Sequence, residues 1–451
     1  MTNLTPHGKN FAYATISGFL SFLFIYITFW PGIADGDSLE LIWYARAGYF
    51  STYQSPLLGG IWQMLDNLGG YHFIHLAQSL FVSFAVSFFL VQFVRGWSLL
   101  VLVPLAVMNP SIAPYAGALV KDVWFGCTIL IGLTCYWRFR QSGGLSWLMA
   151  FALTLVFALH FRPNGTIVIF PVLIDCLIRT IKSRNWIRSF YLPAGLTLFS
   201  VIVSLNFVTP FIGLFYKIDY RPAEQTIYLS DLAAISLETK NWLIPKEANP
   251  DNIGWEQLEE KFNPYSVGKL IAFKESERDK LIISQDPHVV EIYKNAWLNA
   301  IAEYPLVFLN RRWDVGTHFW GIGQSAGGWF YQKVSGQFMN DPFFERRGWS
   351  DVYLRIVDWM EENTSASLLW PYALLIFVVM AISAIGKQPD KSIVILTGGT
   401  GLIYSFGFSL IAPHVGYRYF WPTSLIASVL VVYLIYWASH KAINKFYKVW
   451  R

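Results

Sequence analysis

Runs of about 20 residues without a charged side chain recur along this chain, and each can cross a hydrocarbon core of roughly 30 Å as a helix. Inside lipid, every backbone N–H and C=O must be bonded within such a segment, so few folds remain open. Composition agrees: 54% of the 451 residues are hydrophobic and 14% charged, against about 25% charged in soluble proteins. A soluble globular enzyme is excluded, and the chain reads as an all-α polytopic membrane protein.

Apolar runs and their breakers predict about ten transmembrane helices. They are Phe11 to Pro31, Phe73 to Val94, Trp97 to Asn109, Val123 to Trp137, Leu145 to His160, Ile167 to Ile181, Phe190 to Pro210, Leu368 to Gly386, Ser392 to Ile411 and Phe420 to Trp437. The first run exceeds a signal-peptide core, and bulky Phe29-Trp30-Pro31 follows it where small cleavage-site residues are expected, so it reads as a retained anchor. The net charge of +5 is spread over the chain rather than gathered on one soluble face, so no nucleic-acid partner is expected. Cys127, Cys135 and Cys176 lie inside apolar runs and offer neither a disulfide framework nor a Cys-rich metal site.

Lys and Arg in the short connections set orientation, because positive flanks stay on the cytoplasmic side. With the N-terminus inside, that side collects Lys9, Arg95, Arg138, Arg140, Arg179, Lys182, Arg184, Arg188, Lys387, Lys391 and the basic tail to Arg451. The short outer connections keep only Arg46, Lys121, Arg162 and Arg418. Both termini are expected to be cytoplasmic. The tail from His440 reads first as a topology signal and second as a contact for anionic membrane lipids.

Three regions follow: an N-terminal transmembrane module (1–210) whose first outer loop is 32–72, an extracytoplasmic domain (211–367), and a C-terminal transmembrane module (368–451). The middle region is too long for a plain loop and should fold as a mixed, mainly helical domain against the outer membrane surface. Within it Val289, Tyr293, Ala296, Trp297, Ile301 and Tyr304 recur at helical spacing, an aromatic face for the bilayer or the bundle. Lys246 to Glu260 reads as loop. In the first outer loop, Ser38 is a candidate cap for a short interfacial helix bearing Leu39, Ile42 and Trp43. Pro56, Gly59-Gly60 and Gly69-Gly70 read as breakers around a second short helix, Ile61 to Leu65.

Charges beside apolar helices cost roughly 2.5 to 3.5 kcal/mol at mid-membrane on the insertion scale, so they mark pathways or sites. Here they gather on one side, a cluster at each short outer connection: Asp35, Asp37 and Glu40; Lys121 and Asp122; Arg162 and Asn164; His414, Arg418 and Tyr419. Asp37 at a membrane mouth can accept a proton from a hydroxyl nucleophile. Asp35 is its secondary candidate, with a solvated turn as the alternative. Lys121 stands at the unfavourable end of a helix dipole and on the side poor in basic residues, which suggests anion binding with Asp122 as its orienting partner; an ion pair or helix cap is the alternative. Arg162 fits phosphate contact or snorkelling, and His414 with Arg418 fits an anion site or an aromatic belt. Gly398-Gly399-Thr400-Gly401 lies within a span and suits helix packing. His72, His75 and His160 suit interfacial packing, while His318 and Asp314 lack metal-type spacing.

Asp37 after the first span, Lys121-Asp122 before the fourth, and Arg418-Tyr419-Phe420-Trp421-Pro422 before the last together resemble bacterial membrane-embedded glycosyltransferases of the GT-C superfamily. Pro31-Gly32 with Asp37-Ser38-Leu39, then Tyr53 to Pro56, looks like the first-loop pattern of its poorly characterised members. The resemblance covers Met1 to about Pro210 and the final two helices. It implies a polyprenyl-phosphate sugar donor, a bacterial cytoplasmic membrane location, and Asp37 as base or acceptor-orienting group. The adjacent Asp-Glu pair of the protein mannosyltransferase branch is missing, since Glu40 comes three residues later. A glycan or lipid acceptor is therefore expected. A divalent metal, Mg or Mn, is possible with oxygen ligands from Asp35, Asp37 and Asp122, though no cofactor is firmly implied. Alternatives are a flippase of lipid-linked saccharides and a polysaccharide polymerase or ligase using a lipid-linked oligosaccharide. A transporter should carry charges near the midplane, and Asp175 is the sole acid well within a span.

Overall fold

An apolar run closes its backbone bonds by coiling, and the structure is 76% helix. The computed structural model describes residues 6–34, 36–182, 191–272, 278–323, 348–386, 388, 390–412 and 415–449. Helix α1 (Pro6–Thr28) leads into α2 (Gly36–Arg46), the short strand β1 (Tyr49–Ser51) and α3 (Pro56–Gly69). Next come α4 (Tyr71–Leu90), α5 (Ser98–Val107), α6 (Ala113–Gly117), α7 (Lys121–Ser142), α8 (Leu145–Phe161), α9 (Ile169–Lys182) and α10 (Leu192–Val203). A π turn, Ser204–Val208, joins α10 to α11 (Thr209–Gly213). Strand β2 (Lys217–Asp219) pairs in parallel with β1, Phe50 opposite Ile218, and ties the first connection to the chain leaving α11.

The intervening region contains α12 (Gln225–Thr239), α13 (Trp255–Lys261), a two-residue pair β3 (Ile271–Ala272) and β4 (Leu281–Ile282), α14 (Pro287–Glu303), α15 (Pro305–Trp320) and α16 (Gly348–Asn363). Then α17 (Trp370–Ile385), α18 (Lys391–Ile411) and α19 (Trp421–Val449) return to the bundle. Among the described residues, six helical segments are long and apolar enough to cross a membrane: Gly8–Thr28, Tyr71–Leu90, Pro163–Ile181, Leu192–Gly213, Lys391–Ile411 and Trp421–Ile443. Ser98–Val107, Leu145–Phe161 and Trp370–Ile385 are shorter apolar helices. The chain is thus a membrane protein by the length and composition of its helices.

Helix α7 holds the centre. Every residue from Asp122 to Trp137 is buried, as expected of a helix that is apolar all round. Gly126 lets α19 approach, since a Cβ there would stand 2.9 Å from the Trp421 ring. A main apolar core runs through the bundle, and a second, built on Leu229, Leu232, Leu258, Leu270 and Tyr293, lies among α12 to α14.

Several local expectations change. The second short helix is nearly three times as long as the expected Ile61 to Leu65, because Pro56 opens α3 at its first turn, where the missing N–H costs nothing, and Ser55 Oγ accepts from Leu58 N at 3.2 Å. Gly59 lies inside α3, where a Cβ would collide with the Phe50 ring. Ser38 does not cap α2; it lies within the helix and its hydroxyl donates to the Leu119 carbonyl. The aromatic face of α14 turns toward α12, with Tyr293 buried and Trp297 Nε1 donating to Asp231 at 2.9 Å. Lys246 to Glu260 contains a 3-10 turn and the start of α13.

Candidate active site

The connections bearing polar clusters meet at one end of the bundle. Past α1, Ile33 N donates to Gly117 O at 3.1 Å and Leu119 N to Ile33 O at 2.7 Å. With the Ser38 bond, these pin the start of α2 against the start of α7. Asp37 therefore sits in the first turn of α2, where the helix dipole favours a carboxylate. Arg162 closes α8 in an extended conformation, φ −148° and ψ 94°, which the following Pro163 enforces by excluding the α region. Arg418 and Tyr419 lie in a 3-10 turn between α18 and α19.

Two aspartate–arginine pairs result. Arg418 Nη1 lies 2.6 Å from Asp37 Oδ2, and the two side chains remain 16% and 38% exposed. Behind them, Arg162 pairs with Asp122, both buried. Tyr419 links the pairs: its hydroxyl accepts from Arg418 Nη2 at 2.9 Å, and its ring lies 4.7 Å from the Arg162 guanidinium carbon. Phe408 covers Arg162 from another side at 4.9 Å. A guanidinium carries five N–H donors, of which a carboxylate engages at most two, and Arg162 Nε has no acceptor among the described residues. Lys121 Nζ donates to Gln54 Oε1 at 3.2 Å and stands 5.9 Å above the Tyr53 ring.

These groups line one cavity of about 490 Å³. Asp37, Lys121, Arg162, Asn164, Arg418 and Tyr419 all face it. Its remaining wall comes from α8, the π turn after α10 and the chain entering α12. Burial lowers the Arg162 pKa, yet a guanidinium starts so high that it stays charged. Burial, then the Asp37 charge, raises the Tyr53 phenol; burial also raises Tyr419. Both phenols are therefore neutral hydrogen-bonding groups. The site can hold an anion against three cations while presenting a carboxylate to a neighbouring hydroxyl.

Two sequence expectations change. Asp122 partners Arg162 rather than Lys121. Consecutive helix residues point about 100° apart, so Asp122 turns into the core while Lys121 turns to the cavity. Glu40 faces away, accepting from Tyr44 OH at 2.5 Å and lining a small separate pocket with Arg221. Asp122 is engaged by Arg162 and buried, and among the described residues no group of three His, Cys, Asp or Glu could hold a metal. Asp35 and His414 lie outside the described residues. Sequence reasoning missed Tyr53, Gln54, His160, Tyr220 and Glu224 as cavity residues. The Tyr53 to Pro56 stretch carried a signal as part of the first-loop pattern, but Glu224 lies beyond the recognisable segment. Asp175, the in-span acid, is held by Arg140 at 3.1 Å and by Tyr136 OH at 2.9 Å.

No protein-family model matches the chain, and no curated protein is significantly similar to it.

Proposed function

We propose that this chain is a glycosyltransferase that moves a sugar from a polyprenyl-phosphate donor to a hydroxyl of a glycan or lipid acceptor, at the outer face of a bacterial cytoplasmic membrane. The observation that carries the reading is the single cavity in which Asp37 stands among Lys121, Arg162 and Arg418. In this scheme the helical segments span the bilayer ten times, both termini are cytoplasmic, and 211–367 lies outside with the cavity.

The donor phosphate takes the place of Asp37 on Arg418 and meets the free donors of Arg162. The acceptor oxygen attacks the anomeric carbon, the bond from that carbon to the phosphate oxygen breaks, and the electron pair leaves on the phosphate. The acceptor proton passes to Asp37, which the departure of Arg418 has made more basic. Cationic donors aimed at the leaving phosphate stabilise the charge that develops there. Leu192–Gly213 is apolar and only 22% buried, and an exposed apolar wall at the π turn suits lateral entry of a prenyl chain. Such π turns recur at functional sites. The captured state of Asp175 disfavours the flippase alternative, which needs charges on a path through the bundle.

The test supplies purified protein with a prenyl-phosphate monosaccharide labelled in the sugar, and the lipid and glycan extract of the source membrane as acceptor. Label should move to the acceptor as free prenyl phosphate appears in equal amount. Movement of intact donor across proteoliposomes without bond cleavage would replace this reading with the flippase.

A further inference from the structure

A second cavity, of about 470 Å³, lies between α1 and α4 at the end of the bundle remote from Asp37. Its walls are apolar and aromatic, including Phe11, Phe19, Phe84 and Phe88, and Phe11, Phe19 and Phe84 are also more than half exposed. Its floor carries the hydroxyls of Ser83 and Ser87, both over nine-tenths buried and without a hydrogen-bond partner among the described residues. At one end stand two arginines, Arg95 after α4 and Arg138 near the end of α7, both exposed. Gly96 N donates to Asn10 Oδ1 at 2.8 Å, which fixes the Arg95 turn to the start of α1. Arg138 leans on the Trp147 ring at 5.9 Å.

We propose that this groove binds one anionic phospholipid, its acyl chain between α1 and α4 and its headgroup phosphate between Arg95 and Arg138. Depth supports this occupant. From Asn10 to Phe19 the helix rises about 14 Å, against about 15 Å for one leaflet of a 30 Å hydrocarbon core. The arginines therefore fall at headgroup level when the chain fills the groove. Two guanidiniums lining one groove suit a phosphodiester, which accepts N–H groups in charge-assisted bonds. Asp390 lies within electrostatic reach of Arg95, and burial raises its carboxyl.

Detergent-purified protein is titrated with phosphatidylglycerol or phosphatidylcholine in mixed micelles, and the one-lipid adduct is followed by native mass spectrometry. The wild type should bind phosphatidylglycerol more tightly. Arg95→Gln with Arg138→Gln should weaken phosphatidylglycerol about tenfold or more and phosphatidylcholine little, while Arg95→Lys with Arg138→Lys keeps most of the preference. Thr15→Trp, which fills the groove and leaves both arginines, should weaken both lipids, with the melting transition confirming fold in every variant. Wild-type phosphatidylglycerol affinity in the double Gln variant, or in Thr15→Trp, would overturn the proposal. Neither readout involves sugar transfer, so this result and that of the proposed activity stand or fall separately.

Discussion

The bundle mouth and the unit built by α12 to α15 each contain buried or half-buried aspartate–arginine pairing beside aromatic rings, and they use it differently. In the α12 to α15 unit, Arg312 pairs with Asp231 and also donates to Ala412 O at 3.0 Å, while Asp231 takes a second donor from Trp297. Both residues are buried and neither lines the cavity. That pair fastens α15 to α12 and to the end of α18. At the mouth, Arg418 and Asp37 stay partly exposed and Arg162 keeps an unbonded Nε beside the cavity. The difference teaches that an ion pair is structural when its donors are used up by the fold, and available for ligands when donors remain and a cavity adjoins them.

The sharpest break of this comparison is Asp37→Asn. A positioned base is worth about 10² to 10⁴-fold in rate, so transfer from a prenyl-phosphate sugar should fall by that factor while the melting temperature stays near wild type. Wild-type turnover would remove Asp37 from the chemistry. The reciprocal experiment is Arg312→Ala. Stranding Asp231 in the core should cost about 3 to 5 kcal/mol of stability, read as a much lower melting transition in detergent, and a small loss would show that this pair is no fastener. Arg418→Lys keeps the charge but loses the planar fork; donor use should drop roughly tenfold with fold intact. Unchanged turnover in that variant would exclude a bidentate grip on phosphate. Tyr419→Phe is the mildest. It deletes one 2.9 Å bond to Arg418, worth about 1.5 to 3 kcal/mol for a charged donor before water replaces the lost acceptor, so a several-fold rise in donor KM with little change in melting is expected.

The convergence of Asp37, Lys121, Arg162 and Arg418 was legible because charges at the ends of apolar helices must find water, a partner or a ligand, and alternating helices bring alternate connections to one end. The pairing was not legible. Adjacency of Lys121 and Asp122 suggested a bond between them, whereas helix geometry separates neighbours and only tertiary packing brings Arg162 to Asp122. Gly59 read as a breaker for a similar reason: in sequence it marks flexibility, while in the fold it makes room for Phe50. The aromatic repeat in α14 correctly signalled a helix but not its partner, since α12 and a bilayer present equally apolar surfaces. Nothing in the sequence around Glu224 pointed to the cavity, because its place there comes from the β1–β2 pairing, a contact between segments far apart in the chain.

The two mouth pairs also differ in when they can form during synthesis. Asp122 and Arg162 belong to α7 and the end of α8, consecutive helices that emerge from the ribosome one after the other, so the buried half of the site can be complete early. Asp37 is made about 380 residues before its partner Arg418. Until α19 follows α18 into place, the first loop waits without its arginine, and the mouth closes well after its buried half.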